Sequence, residues 1–200
     1  MQEESNIPTR KLSWSWLTRV LHLLIALAVV HQLGVSLIMV VPEAGKPGNI
    51  YYEFHESVGL ASFGIVLAYW IWLALRRTDR GAGALFPWFS SPGRGAVLAD
   101  LRAHLISLGR LRLPALEEQP LASAVHGLGL LTATIMAGTG MLAWSGSLSE
   151  TNAERLWQVH MLVGNLMWAY LIGHVSVAVL HELAGERLLG RMFTLRTKGS

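Results

Sequence analysis

Long stretches of this chain carry no charged residue, and the stretches between them are dense in charge. Four charge-free runs stand out: Val20–Pro42 (23 residues), Ser57–Leu75 (19), Gln119–Ser149 (31, with Pro120 near its start) and Leu156–His181 (26). Crossing a hydrocarbon core of ~30 Å takes about 20 helical residues, so each run is long enough. In lipid the backbone must satisfy its own hydrogen bonds, which for uninterrupted apolar runs means helices. The pattern therefore predicts an all-α, four-transmembrane-helix bundle with spans near 17–41, 54–76, 121–144 and 156–181, in a single transmembrane domain covering 1–200. Between the second and third spans, Val97, Leu98, Leu101, Leu105, Leu108 and Leu111 recur at helical spacing, with Arg102 and Arg110 among them. This reads as an amphipathic helix lying on the membrane surface; a partly ordered loop, given Pro87, Pro92 and Pro114, is the alternative.

Composition agrees with lipid as the solvent. The chain has 200 residues, 52% hydrophobic and 14% charged, against about 25% charged in soluble domains. The formal charge of +3 could suggest nucleic acid, but the basic residues flank apolar runs, which favours a membrane surface over a nucleic-acid partner. Their distribution also orients the bundle. Arg10, Lys11 and Arg19 precede span one. Arg76, Arg77, Arg80, Arg94, Arg102, Arg110 and Arg112 lie between spans two and three, and Arg187, Arg191, Arg196 and Lys198 follow span four. Only Lys46 and Arg155 lie in the other two connections. The positive-inside rule then puts both termini of this multi-pass protein in the cytoplasm. The polar segment Met1–Lys11 does not read as a signal peptide. Trp14, Trp16, Trp88, Trp144 and Trp157 suit interfacial belts. With no cysteine, disulfides, thiolate metal sites, iron–sulfur clusters and covalently attached haem are excluded.

The chemistry rests on eight histidines, most of them inside or at the rims of the spans. An ionisable side chain at that depth costs several kcal/mol unless it has a partner. Direction along the chain sets depth: His22 and His174 fall at the cytoplasmic level, His55 and His160 at the periplasmic level. His160 and His174 are 14 residues apart, roughly 21 Å along a helix and only ~40° around it, so both face one interior. Two imidazoles from different helices are what a six-coordinate haem iron needs. Zinc is a poorer fit, because no acidic residue lies deep in the spans. The expectation is two haems b, with iron held by His22 and His174 and by His55 and His160; a structural or proton-relay role for these histidines is the alternative. Gly59 and Gly164 follow His55 and His160 by one turn and offer flat surfaces for a macrocycle or for helix–helix contact. Arg19, one turn before His22, suits a haem propionate or a snorkelling anchor. His181 is placed at the cytoplasmic rim, where a quinone head group or propionate would accept a hydrogen bond. His31 points away from His22, His104 belongs to the surface helix and is expected to be solvated, and His126 enters span three near the lower pair.

These residues resemble the bacterial cytochrome b561 family, which is similar to the b-type cytochrome subunits of nickel–iron hydrogenases and formate dehydrogenases. The matching positions are Arg19-x-x-His22, His55-x-x-x-Gly59, Thr139-Gly140, His160-x-x-x-Gly164, His174, His181 and Gly190-Arg191-Met192, spread over essentially the whole chain. The resemblance implies a four-helix bundle with two haems b exchanging electrons with ubiquinone. For some members it also implies a quinone-reducing oxidoreductase activity with superoxide as periplasmic donor, with His181 near the quinone. The long basic connection between spans two and three departs from the pattern. It leaves an electron-relay or anchor subunit for a hydrogenase, dehydrogenase or periplasmic cytochrome as the alternative.

Overall fold

The computed structural model describes residues 15–76, 85–110, 120–185 and 190. Arg10, Lys11, Trp14, Arg77, Arg80, Leu111, Arg112, Pro114, Met192 and the basic residues from Arg187 onward lie outside the described residues. The described residues form five α-helices and no strand: α1 (Trp16–Ser36), α2 (Ile50–Leu75), α3 (Ser91–Gly109), α4 (Pro120–Trp144) and α5 (Glu150–Leu183), with a 3-10 turn at Pro87–Phe89. Four of them, α1, α2, α4 and α5, are long and apolar enough to cross a membrane.

Helix ends differ from the expected spans for local reasons. α1 stops at Ser36 although the apolar run continues, because Asn49 holds the following segment: its Oδ1 accepts from Val40 N at 3.0 Å and its Nδ2 donates to Ile38 O at 3.0 Å. The same Oδ1 accepts from Tyr52 N at 3.2 Å and so caps α2. α2 and α5 each begin before their apolar runs, taking in Glu53 and Glu56, and Glu150, Glu154 and Arg155. At 34 residues α5 is about 51 Å long, so its first turns stand clear of the hydrocarbon. Helix propensity does not stop at the membrane surface; charge-free runs mark the lipid-facing part only.

Packing is loose at the surface and thin at the centre, as lipid-facing helices require. Large apolar side chains such as Leu24, Leu27, Leu162 and Ile172 are exposed, while Leu33, Val66, Ala133, Ala137 and Met167 form the buried centre. α1 packs on α2, α2 on α4 and α4 on α5, but α5 keeps its distance from α1 and α2. The facing histidines occupy that gap. The connection before α4 folds back on the bundle. Phe86 stacks on Trp70 of α2 at 5.7 Å and 9°, and the Leu85 carbonyl and Trp88 lie over Gly127 of α4, where a Cβ would collide. α3 is pinned to α4 by Asp100, whose Oδ2 accepts from Leu121 N at 3.0 Å at the start of that helix. Leu98, Leu101, Leu105 and Ile106 of α3 remain exposed, in keeping with a helix that rests on the leaflet.

Candidate functional site: two facing imidazole pairs

The structure brings the histidines together in two levels. His55 of α2 faces His160 of α5 with ring centroids 6.2 Å apart and planes at 81°. His22 of α1 faces His174 of α5 at 6.4 Å and 54°. These separations can be tested against ligation. A metal–imidazole bond is about 2.0–2.1 Å, and the ligating nitrogen lies about 1.1 Å from its ring centre, so two trans imidazoles should sit about 6.3 Å apart, centroid to centroid. Both pairs meet that distance. The described residues contain no cluster of three or more His, Cys, Asp or Glu suited to a bare metal ion. A flat macrocycle with iron at its centre fits this donor set and spacing.

The outer pair opens on a cavity of about 350 Å³ between α1, α2, α4 and α5, within the usual range for small-ligand sites. Gly59, Thr139 and Gly140 line it together with both histidines, and Met167 closes its floor. Met167 is 3% exposed and lies seven residues from His160 and seven from His174, so the buried centre separates the two levels. Gly59 has a further role. A Cβ there would come within 3.1 Å of Gln32 Nε2, which donates to the His55 carbonyl at 2.8 Å and ties α1 to the His55 turn. Gly164 is not part of the cavity wall; its open side faces Met136 Cε, 3.7 Å from where a Cβ would stand. On the opposite helix Gly140 lets the His160 ring approach, with Cε1 3.6 Å from the would-be Cβ. Thr139 Oγ1 lies 2.7 Å from His160 Nδ1, and Trp157 stacks parallel to the same ring at 6.2 Å.

The inner pair is built differently. Tyr170, one turn before His174, stacks on its ring at 5.3 Å and 11°, and His126 of α4 meets it edge-on at 5.2 Å and 87°. His126 is held by a bond from its Nδ1 to the Ala122 carbonyl at 2.6 Å. Three histidines therefore gather at this level. Arg19 lies one turn before His22, half-buried and engaged with neighbouring groups. His181, in the last turn of α5, is only 4% exposed and is likewise engaged. One expectation needs correction. His104 is not solvated: its side chain is 17% exposed and its Nδ1 lies 3.1 Å from Asp100 Oδ1. The Nδ1 of His31, on the far side of α1 from His22, is buried without a hydrogen-bond partner.

From the sequence Gln32 has no role, Thr139 only a place in a motif and Trp157 only a place in an interfacial belt. Trp157 and Tyr170 precede His160 and His174 by three and four residues, on the same face, and that spacing is a legible signal. Gln32 and Thr139 act from other helices, 23 and 21 residues from their partners, and nothing local marks them.

No curated protein and no solved structure matches this chain. A family model described as prokaryotic cytochrome b561 matches residues 13–195. With four apolar helices, two facing histidine pairs and a match over nearly its whole length, the chain belongs to the prokaryotic cytochrome b561 family: it is a multi-pass b-type cytochrome of the bacterial inner membrane that works in electron transfer.

Proposed function

We propose that the chain holds two haems b, one between His55 and His160 and one between His22 and His174, and relays electrons between its periplasmic face and the quinone pool. The observation that carries this reading is the pair of facing imidazoles repeated along α5 at the spacing trans ligation requires. Haem supplies reversible one-electron chemistry at its iron. The protein's residues hold it, set its surroundings and keep the two levels apart through Leu33, Ala133 and Met167. Arg19 suits a propionate at the inner level. His181, buried at the cytoplasmic end of α5, offers an N–H to a ubiquinone carbonyl.

Charge favours one of the two donor readings. On the periplasmic side stand Glu43, Glu53, Glu56, Glu150 and Glu154, against Lys46 and Arg155, and Lys46 is paired with Glu43 at 3.8 Å. Glu56 also lines the outer cavity, whose wall contains no lysine or arginine. Such a face repels a small anion and favours a neutral or cationic donor. This supports the relay reading, with a periplasmic redox protein or partner subunit as donor, over superoxide oxidation. The test is reduction of the haem-loaded protein by superoxide at several ionic strengths, with ubiquinone as acceptor. The relay reading expects slow reduction that speeds up as salt screens the repulsion. Fast reduction that slows with salt would establish superoxide as the steered substrate and overturn the preference.

A further inference from the structure

Thr139 is buried, 8% exposed, and its hydroxyl has three neighbours. Oγ1 lies 2.7 Å from the Ile135 carbonyl, 3.0 Å from the Met136 carbonyl and 2.7 Å from His160 Nδ1. A hydroxyl has one proton, and the two carbonyls can only accept. With that proton directed to the carbonyls, a lone pair of Oγ1 faces Nδ1, so Nδ1 must carry the hydrogen. A bare Nδ1 would set two lone pairs 2.7 Å apart. The hydroxyl is thus polarised by its own donation and becomes a better acceptor. His160 is left with an unprotonated Nε2, the nitrogen free to ligate.

We infer that Thr139 is a positioning residue: it fixes the tautomer and rotation of His160 so that Nε2 is presented to the outer haem, and by accepting a hydrogen bond from Nδ1–H it makes His160 the more electron-rich ligand of that pair. The inference rests on the haem reading above and deepens it. Around the ring, Gly140 lies at ordinary contact distance and Trp157 covers one face, so Thr139 supplies the directional contact. His55 has no equivalent: Gln32 binds its backbone carbonyl, not its ring, and its Nδ1 is without a partner. One ligand of the outer site is therefore oriented by the protein and the other is not.

A ligand that donates its second N–H is more electron-rich and stabilises oxidised iron, so removing the acceptor should raise the midpoint potential and weaken metal retention by about 10–100-fold. Thr139→Val and Thr139→Ser are compared with the native protein by potentiometric titration of haem absorbance and by EPR of the oxidised form. Thr139→Val should raise one midpoint and alter one low-spin signal, or empty that site alone, with the other unchanged; Thr139→Ser should restore native values. Unshifted midpoints in Thr139→Val, or a Thr139→Ser that behaves like Thr139→Val, would overturn the role. Should Thr139→Val fail to accumulate, the native protein decides: in the reduced form, labelled with ¹⁵N-histidine, the ring N–H of His160 should exchange with solvent more slowly than that of His55, and equal or faster exchange refutes the inference. A native protein that binds fewer than two haems is a separate failure, of the haem reading itself.

Discussion

The outer and inner histidine pairs use the same side chains at the same spacing, yet their surroundings differ. At the outer level the two imidazoles border an open cavity, and the contacts that shape them come from a hydroxyl, an amide and two glycines. At the inner level the space around His174 is filled by a stacked tyrosine and an edge-on third imidazole. An identical ligand set placed in unequal second layers gives unequal centres, because hydrogen bonding and burial tune a haem as much as its axial ligands do. Two levels with different affinities for an electron are what a directional relay requires. Part of the difference lies in α4, which sends Thr139 to the outer level and His126 to the inner.

The largest expected effect would break the comparison outright. His55→Ala or His160→Ala should remove the outer haem and leave the inner, while His22→Ala or His174→Ala should do the reverse, as read by haem content and the split of the reduced absorption band. Loss of both from any one substitution would mean the levels are not independent. Next, the glycines of α4 should separate the levels by stability. At Gly129 a Cβ would collide with the Tyr170 ring, so Gly129→Ala should cost roughly 1–3 kcal/mol by overpacking and disturb only the inner centre. Gly140→Ala, with its nearest neighbour at an ordinary 3.6 Å, should leave thermal stability close to native. Equal melting temperatures for the two variants would contradict this.

Smaller effects sharpen the contrast. His181→Ala should slow quinone reduction about tenfold, as expected for the loss of one hydrogen bond of about 1–1.5 kcal/mol, with both haems retained; unchanged quinone kinetics would remove that role. His126→Ala should shift the EPR signal of the inner haem alone, since His126 borders His174 and lies on no path to the outer pair. A shift confined to the outer signal would reverse the assignment of levels.

Much of this arrangement was legible in the chain, and the legible part shares one cause. The fourteen-residue spacing of His160 and His174 fixes depth and face together, so span direction alone sorts the other ligands into levels. The surface helix announced itself through leucines at helical spacing. What was not legible depends on contacts between distant segments. Nothing in the run Leu37–Val41 tells that Asn49 will end α1 early. Gly59 read as a seat for a macrocycle or a helix–helix contact, and only the fold shows that the residue it gives room to is Gln32. His104 read as solvated from its place on a surface helix, whereas Asp100, one turn before it, is its partner. Thr139 showed as one half of a motif, and only the approach of α5 to α4 gave its hydroxyl a purpose.

The central claim is that imidazole pairs at two depths each hold a haem, and the most direct measurement is a pyridine haemochrome count combined with a redox titration of the purified, haem-supplied protein. The account predicts two haems b per chain, titrating as two resolved one-electron components. A single equivalent, or a colourless protein after expression with ample haem, would contradict it.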